Sequence, residues 1–332
     1  MERWTHNSNN RYKLIMTTYK EIRGTNIEAL ANDPANPING QVWYNTTSNV
    51  VKGLFINPGT WSTGNNMNTA RKTLAGAGIQ TAALAFGGNA PAAENKTESY
   101  NGTNWTEVNN LNLARGSLAG CGTNTAALGF GGYVGAPVYS GDQTERYNGT
   151  NWTEVNDLNV GVSLLAGAGT QTAALAFGGS SQQTPPTEAK TELWNGTNWT
   201  NVNNMNTARE SGGGLGIQTA ALSFGGAPVP AATELWNGTN WTAVNNLNTG
   251  RIRTAGAGTT TAGLAFGGSP TTAVTESWNG TNWTEVGDLA TARSDLGGAG
   301  TQTSALAFGG QPLTAATEEW NLGPATVNFE IS

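Results

Sequence analysis

Cysteine and histidine are almost missing: Cys121 and His6 are the only ones among 332 residues. One cysteine excludes an intrachain disulfide. One histidine, close to the N-terminus, leaves no material for a zinc cluster or a His-based catalytic triad. Charge is also scarce, at 11% of residues, and the net charge of −6 offers no basic face for phosphates. Nucleic acid and anionic membrane are therefore not expected as partners. No run is apolar for long enough to span a bilayer, and Leu14-Ile15-Met16 is too short for the core of a signal peptide. Neither membrane insertion nor Sec-type export is expected, and no cofactor is implied.

The chain is instead rich in Gly (46 residues), Ala, Thr and Asn, poor material for amphipathic helices and suited to short strands joined by tight turns. Twelve Trp stand out. One buried aromatic removes roughly 150–250 Å² from water, about 4–6 kcal/mol, so the Trp must carry much of the core.

One phrase, close to TELWNGTNWTEVNNLNTARxxLAGAGTQTAALAFGG, recurs along most of the sequence. Its Phe-Gly-Gly ends at Gly88, Gly132, Gly179, Gly226, Gly268 and Gly310, six copies spaced 44, 47, 47, 42 and 42 residues apart. Each unit reads as four strands: a small Gly-rich one (165–171), an apolar one (172–179), TELWN (191–195) and NWTNVN (198–203). Asn195-Gly196 between Trp194 and Trp199 predicts a hairpin turn, since both residue types tolerate positive φ. The sixth unit stops after its third strand, and the missing fourth lies upstream, where Trp61 in PGTWSTGNN matches the fourth-strand Trp of the other units. The N-terminal strand is therefore expected to complete the last blade and avoid an open edge.

A hydrophobic strand ending in Gly-Gly, followed by paired aromatics such as Tyr100 with Trp105, Tyr147 with Trp152 and Trp194 with Trp199, resembles the kelch repeat. The resemblance covers about residues 57–322. It implies an all-β fold, a six-bladed kelch-like β-propeller of four-stranded blades with small residues near the axis and Trp between blades.

Glu98, Glu145, Glu192, Glu234, Glu276 and Glu318 recur at one position, and Arg71, Arg115, Arg209, Arg251 and Arg293 at another. Identity in every unit points to a structural pairing, expected across adjacent blades, with Val162 standing where the third unit would have its Arg. Cys121 takes a position that Ala holds in sister units and reads as a small buried thiol. The NxT triplets such as Asn101-Gly102-Thr103 read as hairpin chemistry rather than glycosylation sites.

All length variation falls in the loop after Gly-Gly, which has 8, 11, 11, 6, 6 and 6 residues, leaving 36 in every complete unit. Such insertions lie on one face of a ring, commonly the binding face. Tyr133, Tyr139, Asp142, Gln182, Gln183 and Thr184, in the loops 133–143 and 180–190, are the candidate ligand contacts, Tyr for amphipathic area and Gln for adaptable hydrogen bonds. Tolerated surface loops are the bland alternative. No catalytic or metal-binding residue is assigned: the repeats hold no His for copper chemistry, and Asp142, Asp157, Asp288 and Asp295 have no recurring partner.

Residues 1–56 form a separate arm and 323–332 a tail whose alternating Val327, Phe329 and Ile331 suggest a further strand. The stretch from Met16 to Glu28, followed by Asn32-Asp33-Pro34 and Gln41-Val42-Trp43-Tyr44-Asn45, resembles the openings of marine phage tail and fibre proteins, including cyanophage types, that carry kelch-like repeats. That resemblance implies a virion protein assembled in the host cytoplasm in many copies, its arm docked on other virion proteins and its propeller meeting a host-surface glycan or protein. A non-adhesive decoration or spacer subunit is the alternative, with a soluble kelch adaptor or a glycan hydrolase further behind. Met16 is a second possible start.

Overall fold

The computed structural model describes residues 5–7, 11–13, 27–34, 41–56, 59–135, 140–181 and 187–329. They fall into two compact units, Met1–Gly59 with Leu322–Ser332, and Thr60–Asn321. Every regular element among the described residues is a strand.

The larger unit contains six four-stranded antiparallel sheets, one per repeat. The first consists of Ala75–Ile79, Ala82–Phe86, Thr97–Tyr100 and Trp105–Val108, in that spatial order. The inner strands neighbour one another in a cycle that returns from Gly297–Gly300 to Ala75–Ile79, which makes the six sheets the blades of a propeller. The last blade is completed from the other end of the unit: Thr60–Gly64 pairs with Thr317–Asn321, setting Trp61 opposite Trp320. The ring thus closes as the spacing of Trp61 predicted.

Neighbouring blades are held by one contact repeated six times. The fourth-strand Trp donates its indole N–H to the buried Thr that opens the third strand of the preceding blade, at 2.9 to 3.2 Å, as in Trp199 to Thr144 and Trp61 to Thr275. The same indole packs on the Phe of that blade's Phe-Gly-Gly, with ring centroids 4.8 to 5.2 Å apart. That Phe in turn needs the inner-strand Gly of the following blade. A Cβ on Gly76, Gly120, Gly167, Gly214, Gly256 or Gly298 would lie 2.4 to 2.9 Å from it, closer than side chains tolerate. Ala-Gly alternation near the axis and Trp farther out are thus two halves of one packing rule.

The Arg and Glu recur for a structural reason, but the pairing differs from the expected bridge across adjacent blades. Each Arg sits in the linker that crosses from one blade's outer strand to the next blade's inner strand, and it pairs with the Glu of the blade being entered. Arg251 is typical: Nη2 lies 3.0 Å from Glu276 Oε1, and Nη1 donates to the carbonyls of Gly267 at 2.9 Å and Val274 at 2.6 Å. The guanidinium adds a second donor to the Val274 carbonyl, which already accepts from Gly267 N at 3.1 Å, and bridges it to the Gly267 carbonyl at the Gly-Gly bend. Burial pulls the pKa of all five guanidinia down, opposed by the paired carboxylates.

The Asn-Gly hairpin also differs from the sequence reading. Gly196 has φ +92°, but Asn195 does not take positive φ. Its side-chain oxygen instead accepts from the N–H groups of Thr197 and Asn198, at 2.9 and 2.8 Å, in a four-residue loop closed by the Trp194–Trp199 pair. Asn is favoured as a side-chain cap of the turn rather than for its backbone freedom.

In the smaller unit Glu28–Leu30, Val42–Asn45, Val50–Ile56 and Pro324–Phe329 form one sheet, so the C-terminal tail adds a strand beside Val50–Ile56. Asp33 ties this sheet together. It accepts from the buried Trp43 indole at 3.0 Å, from Asn45 at 2.7 Å and from Lys52 at 2.8 Å. Those bonds, the one from Lys52 foremost, hold its carboxyl at a pKa of about 2.

Candidate functional site

Strand direction fixes which loops share a face. The loop after Gly-Gly and the linker into each inner strand lie together at one end of the blade, while the inner hairpins and the Asn-Gly turns lie at the other. The residue after each Gly-Gly forms a bridge to the linker residue just after the Arg position: Asn89 to Lys72, Tyr133 to Gly116, Ser180 to Ser163, Ala227 to Glu210, Ser269 to Ile252 and Gln311 to Ser294.

The next linker residue takes a left-handed conformation in every blade, with φ of +54° to +58° at Thr73, Ser117, Leu164, Ser211, Arg253 and Asp295. None is glycine. What holds them there is a closed circle of backbone hydrogen bonds, each N–H donating to the carbonyl of its counterpart one blade back: Ser117 to Thr73, Leu164 to Ser117, Ser211 to Leu164, Arg253 to Ser211, Asp295 to Arg253, and Thr73 to Asp295, at 2.6 to 3.1 Å. Visiting each blade once and closing on itself, the circle surrounds the propeller axis. Left-handed backbone at non-glycine residues persists only where its surroundings impose it, and such positions concentrate at functional sites.

The side chains on this circle are the part of the repeat that is not repeated. Elsewhere the inner-strand Gly, the Phe-Gly-Gly, the Thr-Glu and the fourth-strand Trp recur in all six blades. Here three hydroxyls, one leucine, one guanidinium and one carboxylate stand at equivalent positions. Arg253 Nη1 lies 3.5 Å from Asp295 Oδ2, with the Arg253 side chain 46% exposed and that of Asp295 6%. Ser294 Oγ donates to the same Asp295 oxygen at 3.0 Å, Asn89 Nδ2 to Thr73 Oγ1 at 2.7 Å, and Lys72 Nζ to Gln311 Oε1 at 3.1 Å. Such a polar, blade-specific surface can recognise a ligand by direction and charge.

Of the sequence-predicted contacts, Tyr133 stands beside this circle, 37% exposed, its N–H donating to the Gly116 carbonyl at 2.6 Å. Asp142 is half-buried. Its carbonyl accepts from Leu158 N at 2.9 Å and its carboxylate from Gln143 Nε2 at 2.7 Å. Tyr139, Gln182, Gln183 and Thr184 lie outside the described residues. The loops of the second and third blades meet at Ser140, whose Oγ reaches the Ser180 carbonyl at 3.1 Å and the Ser163 hydroxyl at 3.4 Å. Sequence reasoning missed the axial circle itself. Its signal was present: aligned on their Arg and Phe-Gly-Gly, the units differ most at the two linker positions, Lys72-Thr73, Gly116-Ser117, Ser163-Leu164, Glu210-Ser211, Ile252-Arg253 and Ser294-Asp295.

Comparison with known proteins places the architecture. No protein-family model matches the sequence, and no curated protein matches it either. The solved structure of YjhT superposes with a TM-score of 0.65 at 12% identity, covering 77% of this chain and 95% of that one. The fold is that of a β-propeller. With 522 solved chains sharing it, the propeller does not specify a function, which has to be argued from the site.

Proposed function

We propose that this chain is a bacteriophage virion protein, a tail fibre or appendage, whose propeller binds a host-surface glycan or protein through its Gly-Gly-loop face and performs no chemistry on it. One observation carries the reading: every difference in loop length, and the greatest differences in side-chain chemistry, lie on that face, while the packing between blades is the same all round the ring. A scaffold with one diversified face fits recognition. The virion setting rests on the resemblance of the N-terminal stretch through Asn45, and the sheet held by Asp33 is the part proposed to dock on other virion proteins. Many copies per particle would turn weak single-site contacts into firm attachment.

The second reading, a decoration or spacer subunit, is favoured by the six identical Trp–Thr contacts, which make the ring a stable platform. Binding of the fluorescently labelled full chain to a panel of marine bacterial cells and to a glycan array separates the two. Saturable binding to some cells or glycans supports the receptor-binding reading; none on any surface, with the protein folded, refutes it and favours the spacer.

A further inference from the structure

We propose that the third blade holds a binding site for a water-sized monovalent cation, ammonium or potassium, in the place where its sister blades seat an arginine guanidinium.

In the first blade Arg71 Nη1 donates to the carbonyls of Gly87 at 2.8 Å and Lys96 at 2.7 Å, while Nη2 lies 2.9 Å from Glu98 Oε1. The same triad of two carbonyls and a carboxylate meets a guanidinium at Arg115, Arg209, Arg251 and Arg293. The third blade keeps the acceptors and lacks the cation. Val162 stands at the Arg position, 6% exposed, and Glu192 remains, 4% exposed. Its Oε2 accepts from the backbone N–H and the side-chain amide of Asn159, at 3.0 and 2.6 Å, as the corresponding oxygens do in most of the other blades. Its Oε1, which in the five sister blades faces the guanidinium, accepts no hydrogen bond among the described residues. The Gly178 and Lys190 carbonyls lack the guanidinium donor their counterparts have, the Lys190 oxygen keeping only the Gly178 N–H at 3.0 Å among the described residues.

A cavity marks the vacated place. Val160, Val162 and Leu165 are part of its mostly apolar lining, and Gly178, Lys190 and Glu192 line it as well; the centre of a water molecule can move through about 10 Å³ of it. That is close to the least that holds one water, so the occupant is no larger than a water, an ammonium or a potassium ion. Charge selects among these. A buried carboxylate without a counter-charge is costly, and a water would satisfy its geometry but not its charge. One carboxylate with carbonyl oxygens matches a single positive charge rather than the double charge of calcium or magnesium, and magnesium also gives up its waters reluctantly. The Lys190 ammonium does not supply the charge, being drawn instead toward Glu188, 3.8 Å away.

The test is thermal unfolding of the full chain in ammonium, potassium, sodium and choline chlorides at one ionic strength of about 0.2 M, which holds general screening constant. A saturable rise in Tm of at least about 2 °C in ammonium or potassium over choline is expected for the natural chain, and none for Glu192→Gln or Val162→Arg. Val162→Arg should also melt above the natural chain in choline, because it restores the sister arrangement. If that variant does not fold, Glu192→Gln and the anomalous signal of rubidium in crystals carry the decision, the proposal requiring rubidium in the third-blade cavity. Equal Tm in all four salts would mean that a water fills the place. An ion effect retained in Val162→Arg or Glu192→Gln would put the ion elsewhere, and an effect seen only in Lys190→Met would mean that Lys190 fills it. Each of these overturns the proposal.

Discussion

Replacing Arg251 by Met should destabilise the propeller far more than the loss of one surface ion pair. Both Arg251 and Glu276 are fully buried, at 0% exposure. The substitution removes the donors to Gly267, Val274 and Glu276 and leaves the carboxylate buried with only its backbone and Asn248 donors. Breaking a buried pair from one side costs about 3–5 kcal/mol, a fall in Tm on the order of 5–15 °C for a unit of this size. Burial lowers the Arg251 pKa despite Glu276, so the pair does little to stabilise the fold relative to apolar residues, and its removal hurts through the partner left behind. Arg251→Met combined with Glu276→Gln should therefore cost clearly less than the two single changes added together. Differential scanning calorimetry of the four proteins measures this. A single-variant loss under about 1 kcal/mol, or a double variant as unstable as the sum, would refute the reasoning.

Gly167→Ala places a methyl 2.5 Å from the Phe130 ring and should cost about 1–3 kcal/mol by overpacking, measurable by urea unfolding. The Cys121 thiol, pushed up to about 12 by burial, should react with a maleimide at pH 8 on the order of a thousandfold more slowly than a free thiol until the propeller is unfolded. Asp33 is held at about 2, below the ordinary aspartate value near 3.9, so its contribution is fully present above about pH 4 and is lost as the pH falls toward 2. The Trp43 indole N–H resonance should shift over that window in the natural chain and show no such titration in Asp33→Asn.

The ring was legible because each repeated residue performs one job in every blade. The recurring Trp announced aromatic packing between blades, and the displaced Trp61 announced how the circle closes, while the Thr partners of Trp199 and Trp61 emerged only from the structure. The axial left-handed positions were not legible in the same way. Thr, Ser, Leu, Arg and Asp have no shared preference for positive φ, and the conformation comes from a hydrogen-bonded circle that exists only once all six blades are in place. Asn195 misled for a related reason, since its turn preference has two physical sources and the side-chain cap prevailed. The Arg–Glu recurrence showed that a pair exists, but only the path of the linker shows that it joins each blade to its own entering strand. At the candidate site, loop length pointed to the Gly-Gly-loop face, where Tyr133 stands beside the axial circle, while the signal at the axis lay in what varied between units rather than in what recurred.

Recognition through the Gly-Gly-loop face is tested most directly by altering the two faces separately. One variant carries Arg253→Ala and Asp295→Asn on the axial circle with loops 133–143 and 180–190 cut to six residues. The other carries Ile79→Ser and Ile217→Ser, exposed residues on the opposite face, each 53% accessible. Binding of the full-length proteins to a responding cell strain, with folding checked by circular dichroism, should fall at least about tenfold for the first and stay unchanged for the second. Undiminished binding by the first, or loss confined to the second, would contradict the account.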